Sequence, residues 1–180
     1  MKVRFLALLA ACTVLGWLAW TTATSSARPM PASSDSTGFT DQGFVTGVGQ
    51  AGMTEVESGE YTQSKSSNAG VKDFGAMMVR QHTELGHQLE KLAKKQGFTF
   101  PTGVGADNQQ MLDALAPLSG GAFDTLYVND MVSAHQGAVS LFEQATKDAK
   151  DRELRDWAKR TLPEIKMHLR KAEELKAKLQ

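Results

Sequence analysis

Cysteine is nearly absent from this 180-residue chain: Cys12 stands alone, so no internal disulfide can form. Aromatic residues are few. With two Tyr, eight Phe and eight Met, the core is left to small residues, Leu and Met. An excess of one charge is missing too. Twenty Lys and Arg balance twenty Asp and Glu, so there is no basic footprint of the kind nucleic-acid binding needs. No alternating strand pattern rises above noise, and there is no nucleophile elbow, phosphate loop or zinc-type cysteine cluster. The length suits one domain with dispensable termini.

What is present begins with an export pattern. Lys2 and Arg4 precede an apolar run from Phe5 to Trp20, and small or polar residues follow from Thr21 to Ala27. Ser25-x-Ala27 and Thr21-x-Ala23 both suit cleavage, so residues 1–28 are expected to be a signal peptide. A retained anchor is the competing reading, but a spanning helix usually needs ~20 apolar residues. A third reading lipidates Cys12 within Leu9-Ala10-Ala11-Cys12; it ranks lower because the apolar run continues to Trp20. Residues 29–39, rich in Pro, Ser and Thr, are expected to be a disordered linker. Cleavage would leave a mildly acidic, cysteine-free protein in the periplasm or otherwise outside the cytoplasm.

From residue 40 to 180 the periodicity is helical. Thr40-Asp41 can cap a first helix to about residue 64, with Phe44, Val48, Ala51, Gly52, Glu55, Gly59 and Thr62 on its inner face. Each interior glycine costs about 1 kcal/mol relative to Ala, so these small residues imply close approach to a neighbour. Residues 68–96 form the second helix, with a stripe of Val71, Phe74, Met78, His82, Leu85, Leu89 and Leu92 stopped by Gly97. A short helix over 107–115 precedes Pro117. The third long helix spans 122–149 and the fourth 151–179, the latter with Pro163 expected to kink or loosen the turn before His168. The predicted fold is all-α: an antiparallel four-helix bundle with a short extra helix between the second and third long ones.

One phrase occurs twice. Phe74, Met78 and His82 repeat the spacing of Tyr127, Met131 and His135, and each histidine falls on the apolar face. His168 lies on the inner stripe of the fourth helix. All three sit near mid-helix, and the inward residue of the first helix at that height is Glu55. One carboxylate and three imidazoles form a ligand set that bundles support. Imidazole suits zinc, iron and copper; a carboxylate favours harder ions. Met78 and Met131 precede their histidines by one turn and raise Cu(I) as an occupant, though Met at helical spacing also fills cores. Glu164, four residues before His168, can orient that ring or add a ligand. Glu84-x-x-His87 has the spacing of a di-iron ligand pair, but His87 lies half a turn off the stripe and no second such pair exists. For any one histidine, the alternative is a core ring bonded to a backbone carbonyl or water.

The runs A-G-M-T-E-V, V-K-D-F-G-A-M-M-V-R-Q-H-T, F-D-T-L-Y-V-N-D-M-V-S-A-H and T-L-P-E-I-K-M-H-L, over about residues 40–177, resemble an exported bacterial family. This is domain of unknown function 4142, ferritin-like and often labelled an outer membrane protein. The resemblance implies a ferritin-like four-helix bundle outside the cytoplasm and brings no established activity. Glu55, Asp124, His135, Leu162-Pro163 and His168 match the family pattern. Gln81 and Ala134 stand where the family commonly has an Asp before the His. Asp124 thereby joins Glu164, Met78 and Met131 as a further ligand or supporting group.

The leading expectation is an exported bundle that binds one transition metal (Zn, Fe or Cu) between Glu55, His82, His135 and His168, serving metal binding or stress protection in the envelope. A metal-free structural or interaction module, with an envelope protein or the outer membrane as partner, is the alternative. An enzyme using the site for redox or hydrolytic chemistry ranks third.

Overall fold

The computed structural model describes residues 38–179. The expected signal peptide over 1–28, Cys12, and all but the last two residues of the expected linker lie outside the described residues. Five helices follow: α1 (Asp41–Lys65), α2 (Ala69–Gln96), α3 (Ala106–Leu115), α4 (Gly120–Asp148) and α5 (Arg152–Leu179), with no strand among the described residues. No helix among them is long and apolar enough to cross a membrane.

The ends of the helices follow from local chemistry. Thr40 has extended backbone and its hydroxyl accepts from the Gly43 amide at 3.0 Å. Phe39 packs on Phe44 at a ring-centroid distance of 5.9 Å, the apolar clamp that fixes how the chain enters a helix. Thus Phe39, at the end of the expected linker, belongs to the folded part. Asn68 caps α2 by accepting from the Gly70 and Val71 amides at 2.8 and 3.3 Å. Gly97 closes α2 with φ 79°, a conformation that costs glycine little. Asp41 does more than start α1: its carboxylate accepts from the Lys150 and Asp151 amides at 3.0 and 2.7 Å, tying the α4–α5 turn to the start of the bundle.

The glycines of α1 find their compensation at a helix crossing. A Cβ on Gly59 would come within 2.9 Å of the Gly75 carbonyl oxygen, and a Cβ on Gly75 would overlap the Thr62 side chain. The two backbones touch directly, which is the close approach that the small residues implied. Pro163 does not interrupt α5, which runs through it as one helix.

Packing is most extensive within two hairpins, α1–α2 and α4–α5, while α1–α4 and α2–α5 form the sides between them. Two apolar clusters set the directions. Phe44, Leu89, Phe142, Trp157 and Ile165 gather at one end, where α1 and α5 begin and α2 and α4 finish. Val71, Phe74, Phe123, Tyr127 and Leu175 gather at the other. Each long helix is therefore antiparallel to both of its neighbours, and residues 97–119, with α3 packed on α1 and α4, carry the chain back along the bundle. Burying each large apolar side chain contributes about 1.5–3 kcal/mol. The core is not continuous, however: between the clusters lies a layer of buried polar residues.

Candidate metal centre

That layer holds Glu55 from α1, His82 from α2, His135 from α4 and His168 from α5, one residue from each wall of the bundle. His135 and His168 have no exposure, while His82 keeps 6% and Glu55 4%, so the only edge near solvent is the α1–α2 side. One ring nitrogen of each histidine lies within 4.8 Å of the others, a group able to hold a metal ion.

Hydrogen bonds determine which nitrogens those are. Glu55 Oε2 lies 2.9 Å from His82 Nδ1. Burial raises the pKa of Glu55, but the charges of His82 and His135, the bond from His82 and the charge of His168 outweigh it and hold it at about 2. The carboxylate is ionised and can only accept, so the hydrogen is on His82 Nδ1. The Met131 carbonyl lies 2.9 Å from His135 Nδ1 and also can only accept. The Gln81 amide oxygen accepts from His168 Nε2 at 3.0 Å. Each ring thus directs one N–H to a carboxylate, a backbone carbonyl or an amide oxygen, as metal-bound histidines do. The remaining nitrogens, His82 Nε2, His135 Nε2 and His168 Nδ1, face inward.

Two spacings bear on whether an ion fits. His82 Nε2 and His168 Nδ1 are 3.2 Å apart, and His135 Nε2 is 3.6 Å from Glu55 Oε1. Ligands at ~2.0–2.1 Å around a tetrahedral ion are ~3.4 Å from each other. His135 Nε2 is buried without any hydrogen-bond partner, a costly state for an imidazole nitrogen unless something fills it. The donor set, three nitrogens with a carboxylate oxygen beside them, fits a transition metal.

Charge is divided unevenly among the rings. Burial lowers the pKa of His82, but the charge and hydrogen bond of Glu55 and the charge of Glu164 leave it raised. Burial lowers His135, against the charge of Glu55 and with that of His82. Burial, then the charges of His82 and His135, push His168 down to about 3.

The remaining sequence candidates lie at different distances from this centre. Glu164 Oε1 is 3.9 Å from His168 Nε2, on the side away from the inward nitrogens. Met78 and Met131 are fully buried in the apolar cluster with Phe74 and Tyr127, and Met131 reaches the centre through its carbonyl. Asp124 is not brought to it: it is buried near the start of α4, 11 residues or ~16 Å of helix before His135, and its Oδ1 has no partner. His87 is exposed. Gln81 is the participant that the sequence did not single out; its only mark was standing beside His82 in place of an Asp. A cleft of about 590 Å³ between α1 and α2, bordered by Gly52, Glu57, Glu60, Gly86 and His87, reaches the exposed edge of His82.

The fold and the polar layer define a class: a ferritin-like antiparallel bundle with a buried cluster of three histidines and a glutamate. The chain belongs to the family described as Domain of unknown function (DUF4142), whose profile matches residues 23–175 and so begins upstream of the first helix. No curated protein matches the chain. Among solved structures, CopM in its Cu(II)-bound form is similar with a TM-score of 0.66 at 16% identity, over 79% of this chain and 99% of that one. CopM in its Cu(I)-bound form gives 0.64 at 16% identity, over 76% and 95%. A DUF305 protein from Streptomyces coelicolor, proposed to be secreted, gives 0.65 at 12% identity, over 76% and 91%. At these identities the likeness is one of fold.

Proposed function

We propose that the protein is exported and binds one transition metal ion at the centre of its bundle, with copper the preferred occupant. The ligands are His82 Nε2, His135 Nε2 and His168 Nδ1, with Glu55 Oε1 in reach as a fourth. Gln81, the Met131 carbonyl and Glu55 Oε2 hold the rings in their tautomers. The observation that carries the reading is the hydrogen count: every ring has one N–H committed to an oxygen acceptor, and three lone pairs converge in a buried space. Imidazole ligands suit copper and zinc alike. The preference for copper draws support from CopM, which shares the fold and was solved with Cu(I), Cu(II) and silver. Export draws support from the N-terminal pattern. The role that follows is sequestration of metal outside the cytoplasm, protecting the envelope.

The test is metal analysis of protein purified from the periplasm, wild type beside His135→Ala, followed by titration with Cu(I), Cu(II) and Zn(II). One equivalent in the wild type, lost in the variant, is the expected result. Absence of stoichiometric metal in both, with melting temperatures unmoved by any of the three ions, refutes the reading.

One observation favours a metal-free polar core instead. If His82 carries both hydrogens, Glu55, His82, His168 and Gln81 form an unbroken chain of donors and acceptors with 2.9, 3.2 and 3.0 Å links. Within the polar layer this leaves His135 Nε2 as the one ring nitrogen without a partner. Nitrogen-15 shifts of the His82 ring separate the two states: both nitrogens protonated in the second reading, Nε2 metal-bound in the first.

A further inference from the structure

Directly below the histidine layer, on the side of Phe44, a partly open pocket reaches into the bundle. A cavity of about 120 Å³ is walled by Ala51, Leu89, Ala138, Phe142 and Trp157, with Glu55 and His82 forming one end. All four long helices contribute to it. The helix faces that could fill it carry small residues: Gly47 and Ala51 on α1, Ala134 and Ala138 on α4. Packing does not force this choice, since a Cβ on Gly47 would meet only Leu141, at an ordinary contact of 3.9 Å. Interiors normally close such voids to near crystalline density. Cavities of roughly 150 Å³ lined by aliphatic and aromatic side chains stay dry and accept benzene or xenon.

We propose that this cavity is a binding chamber for a small neutral apolar molecule no larger than one aromatic ring, seated against the Glu55–His82 edge of the polar layer. The volume sets the size limit. The apolar walls exclude charged molecules, which would lose their hydration without gaining a partner. The ionised Glu55 at the end repels anions in addition. Small apolar molecules that reached the chamber would lie beside the histidine cluster, against Phe142 and Trp157. This site goes beyond the metal reading and does not depend on it.

The test uses the full purified protein after chelator treatment, with benzene and xenon as probes and naphthalene as the oversized control. Methyl NMR should show shifts confined to the lining methyls, Val48, Leu85, Leu89, Leu141, Ile165 and the wall alanines, with benzene and xenon, none with naphthalene, and benzene should raise the melting temperature. Ala138→Leu should weaken benzene binding at least tenfold. Ala51→Val is the second, milder filling variant, kept in case Ala138→Leu does not fold. Absence of methyl shifts at benzene saturation and under xenon pressure overturns the proposal, as does equal benzene binding by a folded filling variant. Because the protein is metal-free throughout, failure here is distinct from failure of the metal reading.

Discussion

His168 makes the metal-free protein vulnerable to mild acid. Its ring is neutral in the fold, with a pKa pushed down to about 3 from 6.5. The unfolded chain takes up that proton near pH 6.5, while the folded chain does not until near pH 3. Stability therefore falls as pH drops through this window, at up to 1.36 kcal/mol per pH unit. Between pH 7 and pH 5 His168 alone removes about 2 kcal/mol, a large part of the typical 5–15 kcal/mol of a domain. His135, also lowered, acts in the same direction. Glu55, held at about 2, adds a further loss only below pH 4.5, where the unfolded carboxylate begins to protonate. His82 acts in the opposite direction, and only in the upper part of the window: its pKa is raised, so its contribution is complete below about pH 6.5 and is lost as pH rises through its folded value. Urea unfolding of chelator-treated protein at pH 7, 6 and 5 measures the slope, and His168→Gln, which cannot titrate, provides the comparison. Over the range the variant should lose about 2 kcal/mol less than the wild type. Equal slopes in the two proteins, or a flat wild-type profile, would refute the reasoning.

Other perturbations probe separate parts of the structure. Gln81→Ala removes the acceptor that fixes the His168 tautomer and should lower metal affinity about 10–100-fold without changing stoichiometry, measured by chelator competition. Gly75→Ala drives a methyl into Thr62 where α1 and α2 touch; thermal melts should show a loss of about 1–3 kcal/mol, and an unchanged melting temperature would show that the crossing is looser than described. Phe39→Ala removes the clamp on Phe44 and should cost about 1–2 kcal/mol, with amide exchange increasing at the start of α1 and little effect at the histidine layer.

Why some of this was readable and some not comes down to which interactions are local. The stripe Val71, Phe74, Met78, His82 and the stops at Asn68 and Gly97 are matters of spacing within one helix, and they place α2 to within a residue. The repeated aromatic-Met-His phrase puts both rings inward by the same arithmetic. The height of Glu55 was readable because α1 and α2 are joined by a short turn, which sets their register. The orientation of each imidazole was not. It depends on Gln81 reaching across to α5 and on rotamers chosen by packing, neither of which has a sequence period. Asp124 shows the converse: it matches the family pattern, yet three turns of α4 separate it from the centre. The chamber was invisible for a related reason, because small residues at 47, 51, 134 and 138 look like tight packing until the four helices are placed together.

The polar layer draws two of its members, Glu55 and His82, from the first hairpin, and the other two, His135 and His168, from the second. In polymer terms, anything that grips both pairs closes the long loop of chain between His82 and His135. A crosslink over a loop of that size removes about 4 kcal/mol of conformational entropy from the unfolded ensemble. An ion at this point would act as a clasp between the hairpins, and their relative freedom, more than the shape of either, is the property that loading and unloading would change.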